Sequence, residues 1–180
     1  MMYRSVILSF ASLLLITGPV VRAEDQAVIL DDAQIERIRT NCLDVQSTLE
    51  RVHASDALAR VNLGQRYENI STKLMAPLNS RIAFNRLDNV ELTKTTVEFN
   101  TELNNFRSLY QQYEQTMLRS IQLKCSDQPV GFYDTIALAR DHRMAVHESV
   151  VKLGGLLKQY GVQFEAFKAK VLSPVKEQTS

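Results

Sequence analysis

The chain has 180 residues, of which 45% are hydrophobic, and its formal net charge is +1. This length is typical of a single domain, and the lack of tryptophan together with only six glycines and four prolines favours a helical fold. The near balance of basic and acidic residues argues against binding to nucleic acid through bulk charge.

The N-terminus has the pattern of a secretory signal peptide covering residues 1–23. An apolar run from Val6 to Ile16 follows a basic residue, Gly18-Pro19 interrupts it, and Val21-Arg22-Ala23 is suited to cleavage after Ala23. The alternative is an uncleaved membrane anchor, since the apolar stretch is only slightly shorter than the roughly 17 to 25 residues that span a bilayer. Cleavage removes two arginines and changes the net charge to about −1. We expect an exported protein that is extracellular, periplasmic or bound to the cell envelope, and that contacts a membrane only if this segment is retained.

A first helix is predicted over residues 32–77, after a short linker at residues 24–30. Asp31 and Gln34 have the spacing of a capping box, which satisfies open amides at a helix start. Pro77 should bend or end this helix near Ala76, because it lacks an amide and crowds the preceding turn. Heptad spacing predicts an inward face of Ile35, Ile38, Cys42, Val45, Leu49, Val52, Asp56, Ala59, Leu63, Tyr67, Ile70, Leu74 and Leu78.

Two further helices are predicted over residues 89–124 and 128–171, followed by a flexible tail at residues 172–180. Asp88 and Glu91 repeat the capping pattern before the second helix, and Pro129 suits the first turn of the third. The third helix has an apolar seam that only Arg143 interrupts, and Gly154-Gly155 is interpreted as a point of close helix approach. The sequence thus predicts an all-α fold: an elongated antiparallel three-helix bundle with coiled-coil-like packing over residues 31–171, about 60 Å long.

The positions of the two cysteines in the predicted helices favour a disulfide between them. Cys42 lies near the start of the first helix and Cys125 just past the end of the second, so an antiparallel hairpin brings them to the same end. Exported proteins commonly keep such bonds. Two separate buried thiols are the alternative.

Two charged residues interrupt the predicted seams, Asp56 in the first helix and Arg143 in the third. Aligning Cys42 with Cys125 places Asp56 opposite Gln111 and brings Arg143 to the same layer. We predict a buried polar layer in which the two charges pair and Gln111 or Tyr110 supplies a further hydrogen bond, because a lone buried charge is costly. The alternative is that both side chains lean into solvent.

The turn between the first two helices has polar and aromatic residues that a plain hairpin does not need. This composition suits either a packed cap or a contact surface. The candidate contact residues are Asn79, Arg81, Phe84, Asn85 and Arg86.

Three segments, at residues 53–58, 70–81 and 128–134, resemble segments of uncharacterised exported helical proteins of candidate-phylum bacteria. That resemblance implies a bacterial envelope or extracellular setting and brings no activity, cofactor or catalytic residue with it.

No catalytic constellation, metal-ligand spacing or phosphate-binding loop is recognisable in the sequence, so we predict no enzyme activity, no cofactor and no nucleic-acid ligand. The interpretation is a non-enzymatic spacer, adhesion-type or partner-binding module with an unknown protein partner. A periplasmic holdase-type chaperone or inhibitor is the alternative, by analogy with other elongated bundles.

Overall fold

The structure, a computed structural model, describes residues 29–173, and this part of the chain is all helical, as predicted, with no β-strand. The predicted signal peptide and residues 174–180 of the predicted tail lie outside the described residues. A π-helical turn at Ile70–Met75 links two of the helices. In chain order the helices are α1 (Asp32–Thr40), α2 (Cys42–Asn69), α3 (Ala76–Phe84), α4 (Val90–Gln122) and α5 (Pro129–Leu172).

The capping box at the start of α1 is confirmed. The Gln34 amide donates to Asp31 Oδ1 at 2.7 Å, and the Asp31 amide donates to Gln34 Oε1 at 2.8 Å. Helix α5 begins at Pro129, the position predicted for a first-turn proline. These starts are local features, so the sequence alone could specify them.

The predicted cap of the second long helix was wrong by one residue. Helix α4 begins at Val90, and its N-cap is Asn89 rather than Asp88. The Asn89 side chain donates instead to the carbonyl of Asn79 at 3.0 Å, so it ties the helix start to α3. Asp88 Oδ1 still accepts from the Val90 amide at 3.3 Å, but the expected capping box with Glu91 is not formed at this helix start.

The sequence predicted that Pro77 would bend or end the first helix near Ala76, and the structure shows that Pro77 does not end it. It lies in the first turn of α3, where a missing amide is tolerated, and the chain remains helical to Phe84. The π-helical turn before it inserts one residue into the helical repeat and so shifts the inward face. As a result Leu74, which was predicted to face the core, is 63% exposed, and its neighbour Met75 is 1% exposed.

Helix α4 packs against α5 along most of its length and against α2 on an adjacent face, while α1 contacts α5. As residue numbers rise along α4, those of its partners fall. The side-chain contacts that show this order are Ser71–Asn100, Asp56–Tyr113, Thr95–Gln163, Glu102–Ser149 and Thr116–His142.

The largest core cluster lies where α2, the π-helical turn, α4 and α5 meet. Tyr67 packs edge-on against Phe99 and Phe106, with ring centroids 6.1 Å apart in both pairs. Gly154-Gly155 is not a point of close helix approach, contrary to the sequence interpretation. Both glycines are exposed, and a Cβ atom added to either would meet no atom within 4 Å.

A disulfide joins Cys42 to Cys125, with 5.6 Å between their Cα atoms, in agreement with the predicted pairing. Both cysteines are buried against Phe132. The Gln46 side chain next to them donates to the carbonyls of Ile121 and Leu123, which would otherwise be open at the end of α4. Disulfides persist in oxidising compartments, so the bond fits an exported protein. Within residues 29–173, no helix is long and apolar enough to cross a membrane.

Candidate binding site

The first candidate is the corner between α3 and α4, which we call the corner surface: Arg81, Phe84, Asn85 and Arg86. All four side chains are exposed, and Phe84 is 89% exposed. A fully exposed phenylalanine beside two arginines has the composition of an interface centre rather than of a packed cap.

The backbone of the corner surface is fixed by hydrogen bonds at the end of α3. The Leu87 amide donates to the Ile82 carbonyl at 3.1 Å, and the Arg86 amide donates to the Ala83 carbonyl at 2.9 Å. This is the Schellman arrangement, which places one residue in the left-handed region, usually a glycine. Here Arg86 occupies that position with φ of 56°. The corner therefore holds an arginine in a conformation that glycine would adopt at lower energy.

Asn79 was predicted to belong to the contact surface, but the structure buries it. Its side-chain amide donates to Thr96 Oγ1 at 2.8 Å, and its Oδ1 accepts from the Tyr160 hydroxyl at 3.1 Å. The predicted first helix ended at residue 77, which left Asn79 in a turn. In the structure α3 begins at Ala76 and continues to Phe84, so Asn79 lies on the inward face of a helix. It links α3 to α4 and α5 and has a structural role.

The second candidate is a groove between α2 and α5, with the aromatic side chains of α4 as its floor. We call it the α2–α5 groove. Its central cavity has a volume of about 660 Å³, within the range of roughly 300 to 1,000 Å³ that is usual for small-molecule sites. The cavity is lined by Asp56, Ala59, Arg60, Leu63, Phe106, Tyr110, Tyr113, Arg140, Arg143, Met144, Val146, His147 and Val150.

The two charges that interrupt the seams meet at one end of this cavity. Arg143 contacts Asp56 through two hydrogen bonds, from Nε to Oδ2 at 2.7 Å and from Nη2 to Oδ1 at 2.9 Å. The Asp56 side chain is 19% exposed and that of Arg143 is 58% exposed. The pair thus lies at the groove surface and not in a buried layer, because α2 and α5 pack on α4 more closely than on each other.

The predicted third member of the polar layer was wrong. Gln111 is exposed, and the Tyr110 hydroxyl is buried with no hydrogen-bond partner in the described part of the chain. Tyr113 takes the expected place: its hydroxyl donates to Asp56 Oδ2 at 2.6 Å. Gln111 has the right height along α4 but points away from the groove.

The Asp56 carboxyl has a pKa below its usual value. Burial opposes ionisation, but the hydrogen bonds from Arg143 and Tyr113 together outweigh it. Burial and the neighbouring carboxylate both raise the pKa of Tyr113, so this hydroxyl stays protonated and remains a donor. The arrangement is a stable carboxylate with two donors, not an acid–base pair set for proton transfer.

Two other arginines line the cavity without a carboxylate partner. The guanidinium of Arg60 lies over the Tyr110 ring, 4.7 Å from its centroid. Neither Arg60 nor Arg140 takes part in an ion pair among residues 29–173. The groove therefore combines an apolar floor with positive charge that no ion pair in the described part of the chain neutralises.

The most buried charge of the described chain was missed by the sequence analysis. Glu102 is 3% exposed and accepts hydrogen bonds from Ser149 at 2.5 Å and Asn105 at 3.0 Å, with Lys152 Nζ at 2.6 Å. Burial opposes its ionisation, and these donors, Lys152 first, lower its pKa below the usual value. Its position next to the apolar Leu103 was the only signal that the sequence offered.

The described residues contain no cluster of three or more potential metal ligands. Comparison of the chain with family models, curated proteins and solved structures gave no match.

Proposed function

We propose that the protein is an exported antiparallel three-helix bundle that works by binding a protein partner, without catalysis. In this proposal α1, α2 and α3 together make the first rod, and α4 and α5 make the other two. The falling order of contacts along α4 and the disulfide between the two ends of the first hairpin support it.

The observation that carries the binding proposal is the exposure of Phe84. Burying a phenylalanine side chain contributes about 1.5–3 kcal/mol, and this one is held at a corner whose backbone is fixed by the Schellman hydrogen bonds. Arg81 and Arg86 flank it. The nearby Asp88 carboxylate is already paired with Lys170, with 3.5 Å between Oδ2 and Nζ, so the corner keeps the positive charge of its two arginines. The fitting partner is therefore a protein surface with an apolar socket and an acidic rim.

Site-specific photo-cross-linking tests this in the cells that make the protein. A photoreactive phenylalanine analogue replaces Phe84, and a second variant carries it at Val97, which is also exposed but lies on α4 away from the corner. We expect a discrete cross-linked protein from position 84 that position 97 does not give. Arg81→Glu and Arg86→Glu should reduce its yield. The same products from both positions, or none from position 84, would refute the proposal.

A holdase-type chaperone or inhibitor is the second candidate, because the α2–α5 groove offers apolar surface to an unfolded chain. An aggregation assay with an unrelated unfolded client separates the two. A holdase suppresses aggregation at near-equimolar ratio, whereas a specific binding module leaves it unchanged, which is the result we expect.

A further inference from the structure

The geometry points to the α2–α5 groove as a binding site for a single-chain amphiphile with one carboxylate head group. This site is separate from the corner surface and goes beyond the proposed protein contact.

The lining of the cavity changes from charged to apolar along its length. One end holds the Asp56–Arg143 pair with Arg140 near it, and the middle holds Arg60 on α2 and His147 on α5. The other end is apolar and is lined by Leu63, Phe106 and Val150. Seven residues separate Asp56 from Leu63, so the cavity extends over roughly 10 Å of helix. A head group and an alkyl chain would each find a matching environment.

The charge of the groove favours an anion. Three arginines and one aspartate line the cavity, and the single carboxylate is already used by Arg143 and Tyr113. Arg60 and Arg140 remain as guanidinium donors beside apolar surface, where charge-assisted hydrogen bonds are strongest. A cationic head group would meet repulsion at the same position.

Tyr110 supplies the independent observation. This residue is 98% buried, yet its hydroxyl has no hydrogen-bond partner among the described residues. Buried hydroxyl groups are almost always paired, because desolvation without a partner is costly. Tyr110 lines the same cavity with its ring under the Arg60 guanidinium, so the unpaired hydroxyl belongs to a residue that borders the proposed head-group site.

The size of the cavity argues against a peptide helix as its occupant. A helix with side chains is about 10 Å across, so the two turns that match the length of the cavity occupy about 850 Å³, which is more than its 660 Å³. The Asp56–Arg143 pair also lies across the groove and separates this cavity from the next one, which is lined by Leu49, Met117 and Ile136. A single alkyl chain fits the cavity without displacing that pair.

Titration calorimetry with decanoate tests the assignment on the purified full chain. We expect saturable one-to-one binding that tightens by roughly two- to fourfold for each methylene added from hexanoate to decanoate. Decyltrimethylammonium should bind at least tenfold more weakly. A double Arg60→Gln and Arg140→Gln variant should lose at least tenfold in affinity, whereas Arg66→Gln, on α2 outside the cavity, should not.

A second pair of variants tests the location. Ala59→Phe fills the cavity and should abolish decanoate binding, while Ala54→Phe makes the same change at an exposed α2 position outside it and should have no effect. Phe84→Ala should also leave decanoate binding unchanged, so failure of the protein-binding proposal would be recognisable separately.

Absence of binding to the folded chain would overturn the assignment, as would equal affinity for the cationic amphiphile or an unchanged affinity in Ala59→Phe. Binding only to vesicles of anionic phospholipid, with none to monomeric decanoate, would assign the groove to a membrane surface and would equally refute it.

Discussion

Replacing each member of the Asp56 cluster should reveal a strong asymmetry between the two charged residues. Asp56→Ala removes the acceptor of the buried Tyr113 hydroxyl as well as the partner of Arg143. A buried hydroxyl left without an acceptor costs about 1–3 kcal/mol, and a half-exposed ion pair contributes about 0.2–1 kcal/mol. The expected loss for Asp56→Ala is therefore about 1–4 kcal/mol in the free energy of unfolding.

Arg143→Ala should cost much less, at most about 1 kcal/mol, because its side chain is 58% exposed and the carboxylate keeps its bond to Tyr113. Tyr113→Phe removes the donor and should partly rescue Asp56→Ala, since no unpaired hydroxyl is left. The coupling between Asp56 and Tyr113 should exceed that between Asp56 and Arg143 by about 1 kcal/mol.

Urea denaturation of the single and double variants, followed by circular dichroism, gives these free energies. Strictly additive effects of Asp56→Ala and Tyr113→Phe would refute the hydrogen-bonded cluster. A loss of 3 kcal/mol or more in Arg143→Ala would instead show that the ion pair is buried in solution, as the sequence first indicated.

The remaining predictions concern the disulfide, pH and the corner. Cys42→Ser with Cys125→Ser should lower the free energy of unfolding by about 2–4 kcal/mol, and reductant should produce the same loss in the wild-type chain but none in the variant. Because the pKa values of Asp56 and Glu102 are lowered by folding, both carboxyls bind protons more readily in the unfolded chain. The contribution of these two carboxylates to the free energy of unfolding should therefore be complete above roughly pH 5. It should be lost as the pH falls below the pKa values of the unfolded chain, near 4, towards the lower values of the folded chain. Acid titration of the unfolding midpoint should show a less steep loss in Glu102→Gln. Arg86→Gly should raise the free energy of unfolding by about 0.5–1 kcal/mol by relieving its positive φ, and should reduce cross-linking from position 84; a loss of stability would contradict the Schellman geometry.

The sequence predicted what local spacing determines. The Asp31–Gln34 capping box and the start of α5 at Pro129 depend on residues a few positions apart. The pairing of Cys42 with Cys125 followed from counting residues along a hairpin, and the same count placed Asp56 and Arg143 at one level.

The direction in which a side chain points around its helix was less predictable. Counting placed Gln111 at the height of Asp56, but Tyr113 faces the groove and Gln111 faces solvent. Pro77 signalled a disturbance without showing its form, and the π-helical turn that accommodates it moved Met75 inward in place of Leu74. A one-residue shift of this kind depends on tertiary packing rather than on local propensity.

The burial of Glu102 shows a different limit. A heptad seam describes a helix with one partner direction, but α4 packs against both α2 and α5 and buries a wider stripe. Glu102 lies on the side of that stripe that faces α5, where Ser149 and Lys152 supply its donors. The sequence does not show in advance which flanking position of a central helix will be covered.

The glycine pair in α5 gives a direct test of whether its surroundings are open in solution. Gly154 and Gly155 lie within a 44-residue helix, and an added Cβ atom meets nothing within 4 Å at either position. Alanine is favoured over glycine by about 0.5–1 kcal/mol at such a site. The free energy of unfolding of the double Ala variant should therefore be about 1–2 kcal/mol higher than that of the wild-type chain. Ala166→Gly, at another exposed position of α5, should show the opposite change under the same urea denaturation. A loss of stability in the double variant would mean that another surface lies against the glycines in solution, as the sequence pattern first suggested.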